Sequence, residues 1–160
     1  EAGGAQVLSI NYREGEGGQA FDQDAPGEPE RRVAQLLATP LPPHSQLILV
    51  GSSMGGYVST VASAALKPDG LFLLASAFYL PGYAQQALSP QARQTLLVHG
   101  WGDAVVPAAH SVAFACQHRV ALHLLDGDHR LNDALPAIEP LFAQFLAQVM
   151  QTRAAAPSAA

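Results

Sequence analysis

One serine of this chain has neighbours that suit a catalytic nucleophile. Ser53 lies midway between Gly51 and Gly55 in the pattern G-x-S-x-G, directly after a short apolar run and before a segment with helical composition. A strand-turn-helix context of this kind exposes the serine on a sharp turn, and glycine on either side removes crowding. The dipole of the following helix and the N–H of Met54 can then face a developing oxyanion. The pattern therefore predicts Ser53 as a nucleophile and the Met54 N–H as an oxyanion donor.

Glycine and serine in this stretch also suit a phosphate-binding loop or an ordinary turn. A phosphate-binding loop needs a lysine after its second glycine, but Tyr57 follows Gly56 here. A dinucleotide-binding fingerprint needs a glycine two places after Gly51, where Ser53 stands. An incidental serine in a glycine-rich turn is the remaining alternative, and the strand-to-helix context favours the nucleophile over it.

A serine hydroxyl needs a base that is held by an acid, and two later loops offer both. Asp103 follows the apolar run Thr95–His99, and His129 follows the run Val120–Leu125. The residues occur in the order nucleophile, acid and base that accompanies the G-x-S-x-G motif in its usual fold. Because the carboxyl ends of parallel strands meet at one edge of a sheet, we expect Ser53, Asp103 and His129 to form a triad there.

Other side chains compete for the roles of acid and base. Asp103 could instead cap the helix that follows it. Asp126 and Asp128 could be mistaken for the acid, although both lie too close to His129 in sequence to approach its far ring nitrogen easily. His99 is a rival base, but it precedes Asp103 at a strand end, where local packing or hydrogen bonding is expected.

Strands and helices are predicted to alternate along the chain. Continuous apolar runs, typical of strands that are covered on both faces, predict strands at Gln6–Tyr12, Gln46–Val50, Leu71–Ala75, Thr95–His99 and Val120–Leu125. Helical spacing predicts helices at Glu30–Ala38, Met54–Leu66 and Ala108–Gln117, and a last helix that carries Leu135, Ile138, Phe142, Phe145 and Val149. Parallel pairing through right-handed crossovers follows, and hence an α/β fold, a three-layer α/β/α sandwich with a mostly parallel sheet. We expect one domain over residues 1–151 and a flexible tail over residues 152–160.

The composition excludes several classes of function. Of the 160 residues 49% are hydrophobic and 13% are charged, which allows a packed core. A net charge of −5 with only eight lysines and arginines argues against a nucleic-acid partner, and no apolar run approaches a membrane span. The six histidines show no zinc-helix pattern, so we expect no metal and no cofactor. The single cysteine, Cys116, excludes an internal disulfide and favours the cytoplasm.

At these residues the sequence resembles the α/β-hydrolase superfamily, and it is most similar to the small lidless bacterial esterases of the YqiA type. The segment "GSSMGGY" resembles their nucleophile elbow, "GDAVVPAAHSVAFA" their acid loop and following helix, and "DGDHRL" their histidine loop. The resemblance covers roughly residues 46–149. It implies a fold without a cap domain and acyl transfer to water, with Ser53 as nucleophile, His129 as base and Asp103 as acid. It does not fix the substrate.

The resemblance also implies a His-Gly loop upstream of the elbow, which gives the second oxyanion donor. The only His-Gly pair of this chain, His99-Gly100, lies downstream, on the strand of the acid. The stretch "VLSINYR" looks like the strand that follows such a loop. We therefore expect that the N-terminal strands and the oxyanion loop are missing from the chain as given, or that the oxyanion hole is incomplete.

These features together predict a serine hydrolase that cleaves small carboxylic esters through a Ser-Asp-His triad and an acyl-enzyme. Its expected partner is a small-molecule ester, with no nucleic acid and no membrane, and the oligomeric state stays open. A thioesterase, an amidase or a lactonase would use the same constellation. A non-catalytic binding module of the same fold is an alternative from a different class.

The loop after the strand Leu71–Ala75 offers apolar side chains on the same edge. Phe78, Tyr79, Leu80 and Tyr83 could form a shallow wall for the substrate. Plain packing of these side chains against the neighbouring helix is an equally favoured alternative.

Overall fold

A sheet of four parallel strands forms the centre of the protein, in a computed structural model that describes residues 4–13 and 22–154, without the side chains of residues 153 and 154. The strands are β1 (Ile48–Ser52), β2 (Gly70–Leu74), β3 (Gln94–Gly100) and β4 (Ala121–Leu125). Their order in the sheet is their order in the chain. The register places the last residues of neighbouring strands side by side, so the carboxyl ends of β1 to β4 lie along one edge.

Helices cover both faces of this sheet. On one face lie α2 (Met54–Leu66) and α3 (Ala108–His118), with α1 (Glu28–Ala38) packed against α2. On the other face lies α4 (Leu135–Ala154), preceded by a short 3₁₀ turn at Asn132–Ala134. The predicted fold class, a three-layer α/β/α sandwich with a parallel sheet, is therefore confirmed.

The core sits on both faces because successive strand residues point to opposite sides. Leu71 and Leu73 of β2 are fully buried in the cluster beneath α2 and α3. Phe72, between them, packs against Phe142 and Phe145 of α4, with ring centroids 4.9 and 5.4 Å apart. The continuous apolar run of this strand thus reflects burial on both faces, as expected for a parallel sheet.

The predicted strands from residue 46 onwards correspond to β1 to β4, and the predicted helices correspond to α1 to α4. The last helix continues to Ala154, so residues 152–154 of the predicted tail are helical, and residues 155–160 of that tail lie outside the described residues. Within the described part of the chain, every helix falls short of the length or the apolar character needed to cross a bilayer.

The prediction of a strand at Gln6–Tyr12 is wrong. A strand needs a neighbour that accepts and donates its main-chain hydrogen bonds, and no strand in the described residues pairs with this segment. The side chains of Val7 and Leu8 are 76% and 52% exposed. The segment is held by a helix side chain instead, because the Arg31 guanidinium of α1 donates a hydrogen bond to the Tyr12 carbonyl oxygen.

Candidate active site

Ser53 forms the sharp turn between β1 and α2 at the carboxyl edge of the sheet. Its φ of 55° and ψ of −120° lie where residues other than glycine are rarely found. The Ser53 N–H donates to the carbonyl oxygen of Leu74, and the Ser53 carbonyl oxygen accepts from the N–H of Ala77 and of Gly56, at 2.9, 2.9 and 3.0 Å. These hydrogen bonds, two of them to the end of β2 and the loop after it, hold the strained turn in place, as is typical of functional positions.

The glycines around Ser53 differ in how tightly they are enclosed. A Cβ atom at Gly51 would lie 2.2 Å from the carbonyl oxygen of Gly55, and one at Gly56 would lie 2.0 Å from Ser76 Oγ. A Cβ atom at Gly55 would meet nothing within 4 Å. The prediction that glycine is needed on either side of Ser53 therefore holds for Gly51 and is wrong for Gly55. The tight position after the serine is Gly56, where β1, α2 and the next loop meet.

A continuous chain of hydrogen bonds joins the three residues that the sequence predicted as a triad. His129 Nε2 lies 2.9 Å from Ser53 Oγ, and His129 Nδ1 lies 2.7 Å from Asp103 Oδ2. An ionised carboxylate only accepts hydrogen bonds, so His129 Nδ1 carries the proton and His129 Nε2 accepts from the Ser53 hydroxyl. The side chain of His129 is 21% exposed, whereas that of Asp103 is fully buried.

The buried Asp103 carboxylate is held by hydrogen bonds on both oxygens. Its Oδ1 accepts from the main-chain N–H groups of Val105 and Val106, each at 2.8 Å. Its Oδ2 accepts from His129 and from His99. Burial raises the pKa of Asp103, but the hydrogen bonds from His129, Val106 and Val105 outweigh burial and lower that pKa below its ordinary value. The carboxylate thus stabilises the fold above the ordinary pKa of aspartate, and this contribution is lost as the pH falls through the lowered pKa.

The loop that carries Asp103 packs directly on the loop that carries His129. We call residues 100–106 the acid loop and residues 126–131 the histidine loop. A Cβ atom at Gly100 would lie 2.3 Å from the Gly127 carbonyl oxygen, which accepts a hydrogen bond from the Gly102 N–H at 2.9 Å. Asp103 and His129 are therefore brought together by backbone that only glycine allows to approach so closely. None of these glycines has a role that the sequence pattern predicts.

The competing acid and base candidates have other partners. Asp128 Oδ1 accepts the main-chain N–H groups of the second and third residues after it, which makes it a turn residue. The side chain of Asp126 is exposed. His99 is fully buried, and its ring nitrogens lie against Ser111, Asp103 and the main chain rather than against the Ser53 hydroxyl. Of the predicted candidates, Asp103 and His129 are therefore the carboxylate and the imidazole that the hydrogen bonds connect to Ser53.

The prediction that Phe78 forms part of a substrate wall is wrong. Its side chain is fully buried and stacks on Phe114 of α3, with ring centroids 4.3 Å apart and ring planes at 19°. The ring fills the core between the sheet and α3, so it is covered by protein and offers no surface to a substrate.

The other residues of the predicted wall are partly exposed. Tyr83 packs edge-on against Tyr57 of α2, with ring centroids 4.7 Å apart. Tyr79 packs edge-on against His110 of α3, with ring centroids 6.0 Å apart. Leu80 lies between them in the loop and keeps part of its side chain at the surface. Contact of Tyr79, Leu80 and Tyr83 with a substrate stays a prediction.

The oxyanion donor predicted at Met54 is the first main-chain N–H of α2. An N–H at this position has no intrahelical acceptor, and the positive end of the helix dipole lies beside it. The second donor that the resemblance implies, on a His-Gly loop ahead of "VLSINYR", is not among the described residues. Within residues 4–13 and 22–154, no group of three or more His, Cys, Asp and Glu side chains is arranged to hold a metal ion.

Comparison with protein-family models and with curated proteins finds no match for the sequence. Solved structures do match the fold. A Xanthomonas campestris protein assigned to the α/β hydrolase superfamily has 27% identity and a TM-score of 0.64, over 76% of this chain and 70% of its own. A serine hydrolase without a lid, from the same organism, has 23% identity and a TM-score of 0.62, over 94% and 66%. An alpha-beta serine hydrolase homologue from Coxiella burnetii has 23% identity and a TM-score of 0.58, over 82% and 64%.

This protein therefore has the fold of the α/β-hydrolase superfamily, as the resemblance of its motifs implied. The chain spans 66% and 64% of the length of two of these proteins.

The different environments of Gly51 and Gly55 give a matched pair of variants. Gly51→Ala puts a methyl group into the main chain of the elbow, so we expect a loss of about 1–3 kcal/mol of unfolding free energy and weak reaction with a fluorophosphonate. Gly55→Ala puts the same group into open space and removes a glycine from a helix, which stabilises by up to about 1 kcal/mol. Thermal unfolding and the extent of labelling measure both. Equal behaviour of the two variants would contradict this account of the elbow.

Proposed function

We propose that this protein is a serine hydrolase that cleaves small carboxylic esters. The observation that carries the proposal is the hydrogen-bonded chain from the Ser53 hydroxyl through His129 to the buried Asp103 carboxylate, with distances of 2.9 and 2.7 Å. The chain of hydrogen bonds lies at the carboxyl edge of the parallel sheet, where α/β proteins bind their ligands. The solved structures of this fold are named as hydrolases, which supports hydrolysis as the class of reaction.

In the proposed acylation step, Ser53 Oγ attacks the carbonyl carbon of the ester while His129 Nε2 takes the hydroxyl proton. The carbonyl oxygen becomes an oxyanion, and the Met54 N–H at the helix terminus stabilises the negative charge. The carbon–oxygen bond to the leaving group then breaks, and His129 gives its proton to the departing alkoxide. The products of this step are an alcohol and an acyl group bonded to Ser53.

In the proposed deacylation step, His129 takes a proton from water while the water oxygen attacks the acyl carbon. Collapse of the second tetrahedral intermediate releases the carboxylic acid, and the proton returns to Ser53 Oγ. Asp103 stays ionised throughout, which its lowered pKa favours, and it stabilises the imidazolium through the His129 Nδ1–H. The hydrogen bond also keeps the ring in the tautomer that accepts from Ser53.

The surroundings of Ser53 favour small acyl groups. Residues 75–93, which join β2 to β3, contain no helix that could serve as a cap. On the acid loop, Trp101 and Val105 have side chains that are 64% and 63% exposed. We expect these side chains to form an open apolar rim that contacts a few methylene groups of an acyl chain and leaves the remainder in water.

The role of Ser53 is tested by hydrolysis of p-nitrophenyl acetate. Ser53→Ala removes the nucleophile, so we expect kcat/KM to fall by roughly 10⁴-fold or more with an unchanged circular dichroism spectrum. Ser52→Ala is the matched control, because it removes the neighbouring hydroxyl and leaves the chain of hydrogen bonds intact. Turnover by Ser53→Ala at the wild-type rate would refute the assignment.

The role of Asp103 is tested by changing each candidate carboxylate to its amide. Asp103→Asn keeps the shape of the side chain but favours the wrong tautomer of His129, so we expect a loss of about 10⁴-fold in kcat. Asp126→Asn, on the exposed end of the histidine loop, should change kcat little. If the two variants exchange these behaviours, Asp126 is the acid.

The substrate class is tested with p-nitrophenyl esters of increasing acyl length. Each buried methylene stabilises the bound acyl chain by about 0.8 kcal/mol, but only the first few can contact an open rim. We expect kcat/KM to peak between acetate and butyrate and to fall by octanoate. A steady rise to dodecanoate, measured below the micelle-forming concentration, would show a long acyl tunnel instead.

A further inference from the structure

A second histidine contacts the acid, and the proposed mechanism does not use it. His99, near the end of β3, is fully buried. Its Nε2 lies 3.0 Å from Asp103 Oδ2 and 2.9 Å from the carbonyl oxygen of Val106. Its Nδ1 lies 2.6 Å from the hydroxyl oxygen of Ser111 on α3, which is also buried.

These partners fix which nitrogen of His99 carries the proton. The carboxylate and the carbonyl oxygen only accept, so Nε2 must be the N–H donor that serves both. A hydroxyl can donate, so the Ser111 O–H donates to an unprotonated Nδ1. With this assignment both ring nitrogens of His99 have partners while the ring stays neutral. The neutral form avoids the cost of a second buried charge.

Asp103 Oδ2 therefore receives two N–H donors, one from His99 and one from His129. The main-chain N–H groups of Val105 and Val106 fix Oδ1, and the His99 N–H fixes the direction in which Oδ2 points. A carboxylate that already accepts a second donor attracts the His129 proton less strongly than one that accepts only from His129.

We propose that His99 is a positioning residue of the active site, which directs Asp103 Oδ2 towards His129 Nδ1 and moderates the attraction of this carboxylate for the His129 proton. The inference rests on the proposed function, because it assigns His99 a part in the same reaction. Ser111 in turn fixes the tautomer of His99, so the positioning contact extends from α3 to the nucleophile.

Other charged groups lie close to His129 in the sequence. Asp126, Asp128 and Arg130 flank His129 on the histidine loop, and Asp133 lies on the following 3₁₀ turn. Within the described residues, the ion pairs of Asp103 are those with His99 and His129. On α3, the group that faces His99 is the neutral Ser111 hydroxyl. The proposed effect of His99 on His129 therefore passes through Asp103.

The kinetic test compares His99→Phe with His99→Gln. Phenylalanine keeps a ring of similar size and removes both nitrogens, so we expect kcat to fall about 10- to 100-fold with KM nearly unchanged, as for a misplaced catalytic group. The acid limb of the kcat/KM profile should move to higher pH, because Asp103 with one donor fewer stabilises protonated His129 more strongly. Glutamine carries an amide N–H that can replace the Nε2 donor, so it should restore most of kcat and return the acid limb.

A second measurement reads the same contacts without catalysis. In protein labelled with ¹⁵N-histidine, the ring nitrogen shifts should show His99 protonated at Nε2 and not at Nδ1. Ser111→Ala is the milder variant should His99→Phe not fold. It removes the donor to Nδ1, and we expect the His129 Nδ1–H resonance to shift and the acid limb to move in the same direction by a smaller amount.

The outcomes separate this inference from the proposed function. A His99 proton on Nδ1 would overturn the inference. A second result would also overturn it. This result is that the variants His99→Gln, His99→Phe and Ser111→Ala all melt at lower temperature but keep the wild-type kcat, pH profile and His129 Nδ1–H resonance. His99 would then only stabilise the fold. If the wild-type protein hydrolyses no ester while Ser111→Ala shifts the His129 resonance, the proposed reaction fails and the positioning of Asp103 stands.

Discussion

The buried carboxylate of Asp103 is the interaction on which the rest of the site depends. Burying a charge away from solvent costs free energy unless hydrogen bonds compensate it. Here four N–H groups donate hydrogen bonds to the carboxylate, two to each of its oxygens. Two of the donors belong to the acid loop itself, one to β3 and one to the histidine loop. The carboxylate can stay buried and ionised only while the acid loop, β3 and the histidine loop keep their relative positions, so it ties the stability of this edge of the sheet to the geometry of the base.

The parallel sheet supplies the remaining geometry. β1, β3 and β4 end along one edge, so the turns that follow them bring Ser53, Asp103 and His129 together from distant parts of the chain. The strained turn at Ser53 is stabilised by hydrogen bonds to β2 and to the loop after it, which makes β2 the support of this turn. The close approach of Gly100 to Gly127 likewise supports the positions of Asp103 and His129. Ser53 is thus held by the neighbouring strand and the loop after it, and the loops of Asp103 and His129 hold each other.

The sequence predicted the parts of this arrangement that depend on local pattern and chain order. The pattern is a serine flanked by glycines between a strand and a helix, followed by an acid and a histidine after later strands. This pattern was enough to predict that Ser53, Asp103 and His129 lie together on one edge. The prediction of a strand at Gln6–Tyr12 was wrong because an apolar run shows the tendency to form a strand but not whether a partner strand lies beside it.

Other features depended on contacts between distant segments, which spacing does not show. Gly55 fits the motif, yet the glycine that the packing requires after the serine is Gly56, because Ser76 from another loop lies against it. Phe78 follows a strand at the carboxyl edge of the sheet, but its ring lies in the core against α3. The sequence offers His99 as a rival base, and its position four residues before Asp103 at the end of a buried strand is the available signal of a contact with that carboxylate.

The central claim, that the chain of hydrogen bonds activates Ser53, is tested most directly by mapping a covalent adduct. The wild-type protein is treated with a fluorophosphonate, and mass spectrometry determines the number of adducts and the modified peptide. The account predicts one adduct for each chain, located on Ser53 and lost in His129→Asn. An adduct on another serine, or labelling of Ser53 that is equally fast in His129→Asn, would contradict it.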